Sequence, residues 1–319
     1  MEARPVVLIV AIVLLLRLPF LTQPVQGDDP TYIFQAQHAL IDPAHPTNVQ
    51  YVFQGQLVDL RGHPHPPLNA WFLAGLLTIF GDVYEVPFHV TYILFSLIAT
   101  LAMWSLAKRF SDWPLGATLL FLSVPAFVIN GSSFEADLPF LAFWMAGIAL
   151  FAANRLSLAC VSLALASLSA YQAVVATPIL LVYCWLHARR SRSAWLVAFT
   201  PVIVIALYQG YERLTSGAIP ATVLTGYFSS YGLQQLGNKL KNAAALTAHT
   251  GWIVFPALAV VAFRRMWIFG IVAAGLALLI DPHPLFALSF GIGAMIIAWC
   301  LTRRLDFLTA WIVIFFASA

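Results

Sequence analysis

VPFHVTYILFSLIATLAMWSLAKR, residues 86–109, decides the fold class. The run up to Ala107 carries no acid and no Lys or Arg, and it stops on the pair Lys108-Arg109. An α-helix rises about 1.5 Å per residue, so this segment is long enough to cross the roughly 30 Å hydrocarbon core of a bilayer. The rest of the chain agrees with it. The 319 residues are 61% hydrophobic and 9% charged, with a mean hydropathy of +0.87, whereas about a quarter of the residues of a soluble domain are charged. A polytopic membrane protein is expected. The formal net charge is +3, without a basic block or an Arg-rich helix, which sets nucleic acid aside as a partner. Cys160, Cys184 and Cys300 lie far apart in apolar stretches, so neither a disulfide framework nor a zinc site is expected.

Further apolar runs of suitable length lie at 6–20, 113–130, 138–154, 156–171, 172–187, 194–211, 249–263, 266–280, 284–302 and 306–319. With 86–107 these make eleven expected spans. The first follows Arg4 and lacks a small-residue cleavage site, so it reads as a retained anchor. Lys108-Arg109, Arg155, Arg189-Arg190-Arg192, Arg264-Arg265 and Arg303-Arg304 mark alternate ends of the runs. The positive-inside rule makes that side, and the N-terminus, cytoplasmic. Arg17, Arg61, Arg213, Lys239 and Lys241 remain at or near the outer face, together with ten of the thirteen carboxylates. Counting Pro66–Phe80 as a span would invert this pattern, so this Pro-Pro-initiated segment is expected to be re-entrant or interfacial, the alternative being a twelfth span that breaks the charge rule locally. Two outer segments are longer than turns, 21–85 and 212–249, and chemistry is sought there.

No Asp or Glu falls in the middle of an expected span, unlike the relay carboxylates of many proton-coupled carriers. The polar groups gather instead at the outer boundary in three places. Gly27-Asp28-Asp29-Pro30-Thr31-Tyr32 opens the first outer loop; an Asp N-cap with Pro at the first helical position explains the acidic pair equally well. Arg61-Gly62-His63-Pro64-His65-Pro66-Pro67-Leu68-Asn69-Ala70-Trp71 joins two imidazoles, a proline turn and a tryptophan, and His-x-His on its own is more often an exposed turn than a metal site. In Glu135-Ala136-Asp137-Leu138-Pro139 the two acids, at i and i+2, point to opposite sides if the turn is extended, and Asp137 alone would be an adequate N-cap.

In this order and on this side, the three elements resemble the polytopic GT-C glycosyltransferases that use polyprenyl-phosphate sugars, nearest to protein O-mannosyltransferases and aminoarabinose transferases. Asp28, Asp29 and Tyr32 match the acidic pair and tyrosine of the first outer loop. Pro66-Pro67-Leu68 with Trp71 matches the proline-rich helix start, and Asp137 matches the aspartate heading an aromatic span. The likeness covers about residues 1–155; beyond, only the hydropathy pattern agrees. Where family members often carry Glu-Lys before Pro-Pro, this chain has Pro64-His65.

The resemblance implies an all-α integral membrane protein of about eleven transmembrane helices, with juxtamembrane helices on the outer face in the first loop and no soluble C-terminal domain. Residues 1–319 form one membrane domain, with a catalytic module at 1–155 and a variable helical part at 156–319. It implies an inverting sugar transfer from a polyprenyl-phosphate donor to a protein, lipid or glycan, on the extracytoplasmic face of the cell inner membrane. Asp28 is the expected base, with Asp29, Glu135 and Asp137 positioning the acceptor or the cationic groups. Lys239, Lys241, Arg213, Arg17 and Arg61 are the candidates for the donor phosphate. Tyr32, His63, His65, Trp71, Tyr227 and Tyr231 are candidates for contact with substrate. The relatives work without a metal, so no cofactor is expected, although Asp28 and Asp137 have the charge to hold Mg or Mn. The competing readings are a lipid or solute carrier or flippase, and a non-catalytic subunit of the same architecture.

Overall fold

The computed structural model describes residues 3–53, 55–230, 236–254, 257–303 and 306–318. It is helical apart from one two-stranded hairpin. In order the elements are α1 (Ala3–Arg17), α2 (Asp29–Ala39), β1 (Gln50–Phe53), β2 (Gln56–Asp59), α3 (Leu68–Phe80), α4 (Glu85–Phe110), α5 (Pro114–Leu122), α6 (Pro125–Asn130), α7 (Asp137–Ala152) and α8 (Leu156–Ser169). There follow α9 (Ala176–His187), α10 (Arg192–Ala198), α11 (Thr200–Thr215), α12 (Pro220–Ser230), α13 (Leu236–Val254), α14 (Ala257–Ala277), α15 (Pro284–Arg303) and α16 (Phe307–Ser318). The chain divides into two compact units, residues 1–180 with 190–228, and residues 181–189 with 229–319.

Among the described residues, Glu85–Phe110 and Pro284–Thr302 are individually long and apolar enough to cross a membrane. The α10–α11 pair makes a third if its 45° bend is one span. That bend falls beside Pro201, which cannot donate to the helix and disfavours helical backbone in the residue before it. The apolar character expected of a membrane protein is therefore present. Val86, Val90 and Leu94 of α4 recur every four residues along one exposed, apolar face, the pattern of a helix side turned to lipid.

Several expected boundaries change. The run 113–130 is not one helix: it breaks into α5 and α6 at Ser123-Val124. Pro125 forces Val124 into an extended conformation (φ −60°, ψ 120°), as a residue before proline prefers. Arg264-Arg265 was expected to separate two spans, yet α14 runs through both as a single helix. Arginine is a good helix former and no breaker lies beside the pair, so charge alone does not end the helix. The first outer loop holds the expected helices α2 and α3, and also the unexpected hairpin, paired Gln50↔Asp59 to Phe53↔Gln56 around Gly55 at φ +79°. α3 has 13 residues, about 20 Å at the usual rise and too short to span on its own. It ends at Gly81 in the left-handed region (φ +81°), whose N–H bonds to Leu77, a conformation glycine adopts without steric cost.

The core of the first unit gathers Val13, Tyr32, Leu73, Phe88, Tyr92, Phe134 and Ala142, from α1, α2, α3, α4, the turn before α7, and α7 itself. Fixing that turn is what positions the site. In the second unit α15 packs on α13 and α14 through glycines. A Cβ added at Gly291 would lie 2.7 Å from the carbonyl oxygen of Gly270, so the two backbones meet where only glycine leaves room.

Candidate active site

The acidic pair divides its work. α2 begins at Asp29, with Asp28 at the N-cap position, yet the Asp28 side chain caps no backbone N–H. Nor is Asp29 an N-cap. It is 1% exposed, and its Oδ1 accepts the Phe134 N–H at 2.7 Å while Oδ2 accepts the Gln26 N–H at 3.2 Å. Burial raises its pKa, opposed by these two bonds. Asp29 thus ties the first outer loop to the turn that precedes α7, and it leaves Asp28 exposed.

The same turn is fixed from its other side. The Phe134 carbonyl accepts the Asn69 side-chain amide at 2.8 Å and the Tyr92 hydroxyl at 3.0 Å, and Tyr92 also donates to Asn69 Oδ1 at 2.7 Å. Neither Asn69 nor Tyr92 was anticipated, although an amide on an apolar helix start is a signal in its own right, because a polar group there needs a partner. The Phe134 ring sits 4.5 Å from His89. Both backbone polar groups of Phe134 are therefore engaged by α2, α3 and α4 together.

This arrangement brings Glu135 and Asp137 to the same side, against the expectation for an extended turn. Ala136 between them is helical (φ −72°, ψ −11°) and is itself the N-cap residue, so Asp137 opens α7 without capping it. Glu135 is hydrogen-bonded to Asp137, and burial together with the charges of Asp137, Asp28 and Asp29 raises its pKa to about 7. A protonated Glu135 then donates to the Asp137 carboxylate. Glu135 feels the charges of the other three carboxylates of the cluster, and Asp29 that of Asp28.

Tyr32 joins this cluster to the imidazoles. Its hydroxyl is hydrogen-bonded by the backbone of Ala136, and burial beside Asp137 and Glu135 raises its pKa. Its ring meets His63 edge-on at 5.2 Å and His65 at 5.9 Å. His65 Nδ1 donates to the Ser169 carbonyl at 3.0 Å, using an oxygen that the end of α8 leaves free. Burial lowers the pKa of both rings, that of His63 to about 3. Both are neutral at pH 7.

A cavity of about 180 Å³ opens here, with Asp28, Thr31, Asp59 and His63 as its polar lining and Phe53 and Leu224 among its apolar walls. Arg61 lies beside it in a forked ion pair with Asp59, Nε to Oδ2 at 2.9 Å and Nη2 to Oδ2 at 2.5 Å. That pairing raises its pKa and fixes its orientation. Gly62 admits no side chain, since a Cβ would come within 2.9 Å of Val223. The loop at 43–47 is held down separately. Trp71 Nε1 donates to Pro43 at 2.8 Å, and the fully buried Glu212 meets His45 Nδ1 at 3.3 Å and accepts from Ser216 Oγ at 2.7 Å.

The remaining candidates lie elsewhere. Arg17 is 2% exposed, and its guanidinium donates to Ser96 Oγ at 2.9 Å and to the carbonyls of Val128 at 3.0 Å and Phe127 at 2.5 Å. It also lies over the Phe127 ring at 4.6 Å. It neither snorkels to the surface nor faces the cavity. α6 ends at Asn130, which leaves the carbonyls of its last turn unpaired within the helix, and Arg17 satisfies two of them. Arg213 is exposed and donates to the Gly217 carbonyl at 2.7 Å. Lys241 is exposed in the second unit, and the side chains of Lys239, Tyr227 and Tyr231 lie outside the described residues. Among the described residues no three His, Cys, Asp or Glu side chains converge on a metal position.

No curated protein and no solved structure matches the chain. A family model does match, and it corrects the extent of the resemblance. It takes in the Pro-Pro helix start, Trp71 and Asp137, leaves out Asp28, Asp29 and Tyr32, and runs past residue 155. A match of this kind supports glycosyltransferase activity in general. Over residues 64–209, just under half of its length, the chain matches the family model described as dolichyl-phosphate-mannose-protein mannosyltransferase.

Proposed function

We propose that this chain is a membrane glycosyltransferase that moves a sugar, with inversion, from a polyprenyl-phosphate donor to a hydroxyl or amine at the outer face of the cell membrane. The observation that carries the reading is the division of labour at the acidic pair. Asp29 takes the buried structural bonds, while Asp28 caps no backbone N–H and stands exposed on a cavity with His63. In the step envisaged, Asp28 accepts the proton of the attacking group as that group bonds to the anomeric carbon. The bond from that carbon to the phosphate oxygen breaks, and the phosphate leaves with the electron pair. Placing the base beforehand lowers the barrier because no reorganisation is needed at the moment of attack.

Negative charge grows on the departing phosphate and requires a cation. In the first unit Arg61 and Arg213 are the exposed or half-exposed candidates, with Arg61 beside the cavity and oriented by Asp59. Lys239 and Lys241 are the candidates from the second unit. Glu135, sharing a proton with Asp137, and the neutral His63 and His65 serve as hydrogen-bonding groups for substrate rather than as charges. The eleven-span topology with a cytoplasmic N-terminus belongs to the same reading. The test is transfer of radiolabelled sugar from a panel of polyprenyl-phosphate glycosides by protein in nanodiscs. Transfer by the wild type and none by Asp28→Asn supports the proposal, and equal transfer by both removes Asp28 from it.

A further inference from the structure

From Thr31, which lines the Asp28 cavity, a polar face continues along α2. Helix positions three and four apart share a face, and from Asp28 that spacing leads through Thr31 and Gln35 to His38. Gln35 is 2% exposed, yet its amide Nε2 has no hydrogen-bond partner among the described residues. The same holds for His38 Nε2 and for Nδ1 of His63, which lines the cavity with Asp28 and Thr31. Buried polar groups are almost always paired, so these nitrogens, two on one face of α2 and the third in the cavity lining that Thr31 shares, call for a ligand that supplies the missing oxygens or hydroxyls. The charges beside them say which kind. α2 carries no Lys or Arg, Asp28 is the lining charge left without a matching cation because Arg61 pairs with Asp59, and His63 is neutral at pH 7. An anion would be repelled there, whereas the hydroxyls of a sugar both donate and accept.

The geometry points to the Thr31–Gln35–His38 face of α2, together with His63, as the surface that binds the hydroxyl groups of the neutral donor sugar, apart from the cations that take its phosphate. The inference rests on the transferase reading and adds to it the part of the substrate that α2 holds. Gln35 and His38 are then binding residues that specify the sugar.

The test is a fluorescence titration of protein in nanodiscs with polyprenyl-phosphate mannose, glucose and N-acetylglucosamine and with bare polyprenyl phosphate, for wild type, Gln35→Leu and Thr31→Val. Loss of one such bond weakens binding of the best glycosyl lipid about tenfold. Gln35→Leu is expected to show that loss with bare polyprenyl phosphate bound as before, and to melt no lower than wild type without lipid, because leucine replaces an unpaired amide. Thr31→Val, which changes shape least, is expected to lose sugar-dependent affinity in the same way should Gln35→Leu not fold. Equal weakening for glycosylated and bare lipid overturns the inference. So does unchanged binding of all of them, or a lower melting temperature of folded Gln35→Leu, which would mean that the amide has a structural partner. If wild type turns over no donor and binds neither glycosylated nor bare lipid, the transferase reading falls along with it; wild-type binding insensitive to either substitution sinks the inference alone.

Discussion

Replacing Asp29 separates its structural duty from the chemistry assigned to Asp28. Asp29→Ala leaves the buried Phe134 N–H without its acceptor at 2.7 Å and the Gln26 N–H without its acceptor at 3.2 Å. An unpaired buried N–H costs about 1–3 kcal/mol, and a part-buried bond contributes about 1. Some of this is returned, because the carboxylate no longer has to be ionised in a buried position, which the rise in its pKa shows to be unfavourable. The net expectation is a loss of about 2–3 kcal/mol, or a fall of about 3–5 °C in melting temperature for a chain of this size. Asp29→Asn keeps an oxygen for Phe134 and sheds the charge, but turns an NH2 toward the Gln26 N–H, so it should lose about 1 kcal/mol. The assay is thermal unfolding in a mild detergent beside sugar transfer at a temperature where each variant is folded. Asp29→Asn should retain transfer within a few-fold. An Asn variant that melts like wild type and has lost transfer altogether would refute the reasoning, since Asp29 rather than Asp28 would then be the base.

Arg17→Leu should lower stability by about 3 kcal/mol, because Ser96 and two helix-end carbonyls lose a charged partner; in folded protein the KM for donor should be unchanged, which steady-state kinetics would show. Glu135 carries a pKa raised from 4.5 to about 7. Between those values the folded state binds more protons than the unfolded one, so stability falls as pH rises toward and through about 7. Screened by its half-exposed position, the change should be about 1–2 kcal/mol, and melting curves of Glu135→Gln should lack it. Asn69→Ala removes a buried donor to the Phe134 carbonyl and an acceptor for Tyr92; a loss of about 2 kcal/mol is expected, with transfer falling further than in Arg17→Leu because the turn that carries Glu135 and Asp137 loosens. Gly291→Val should destabilise the second unit by more than about 2 kcal/mol through a backbone collision with Gly270, read as early protease cleavage in 229–319.

The sequence displays the membrane character, the helices of the first outer loop and three distant polar segments on the outer side, because hydropathy, proline and charge act locally. What it hides is decided between segments. Glu135 and Asp137 share a side because the Asn69, Tyr92 and Asp29 bonds pull their turn into helical backbone. Arg17 looks like a membrane-depth cation in search of phosphate, but the short α6 ends beside it and offers it the carbonyls of its last turn. Arg264-Arg265 reads as a boundary in a charge count and lies inside α14. The hairpin escapes notice because Gln50–Asp59 offers only one glycine, Gly55, between two four-residue strands.

The most direct test remains the fate of the Asp28 carboxylate. Asp28→Asn should melt within about 1 °C of wild type, since the side chain caps no backbone N–H and lies exposed. Its transfer of sugar from polyprenyl phosphate should fall by about 10³-fold or more, the range a positioned general base contributes. Transfer at the wild-type rate by this folded variant would contradict the account.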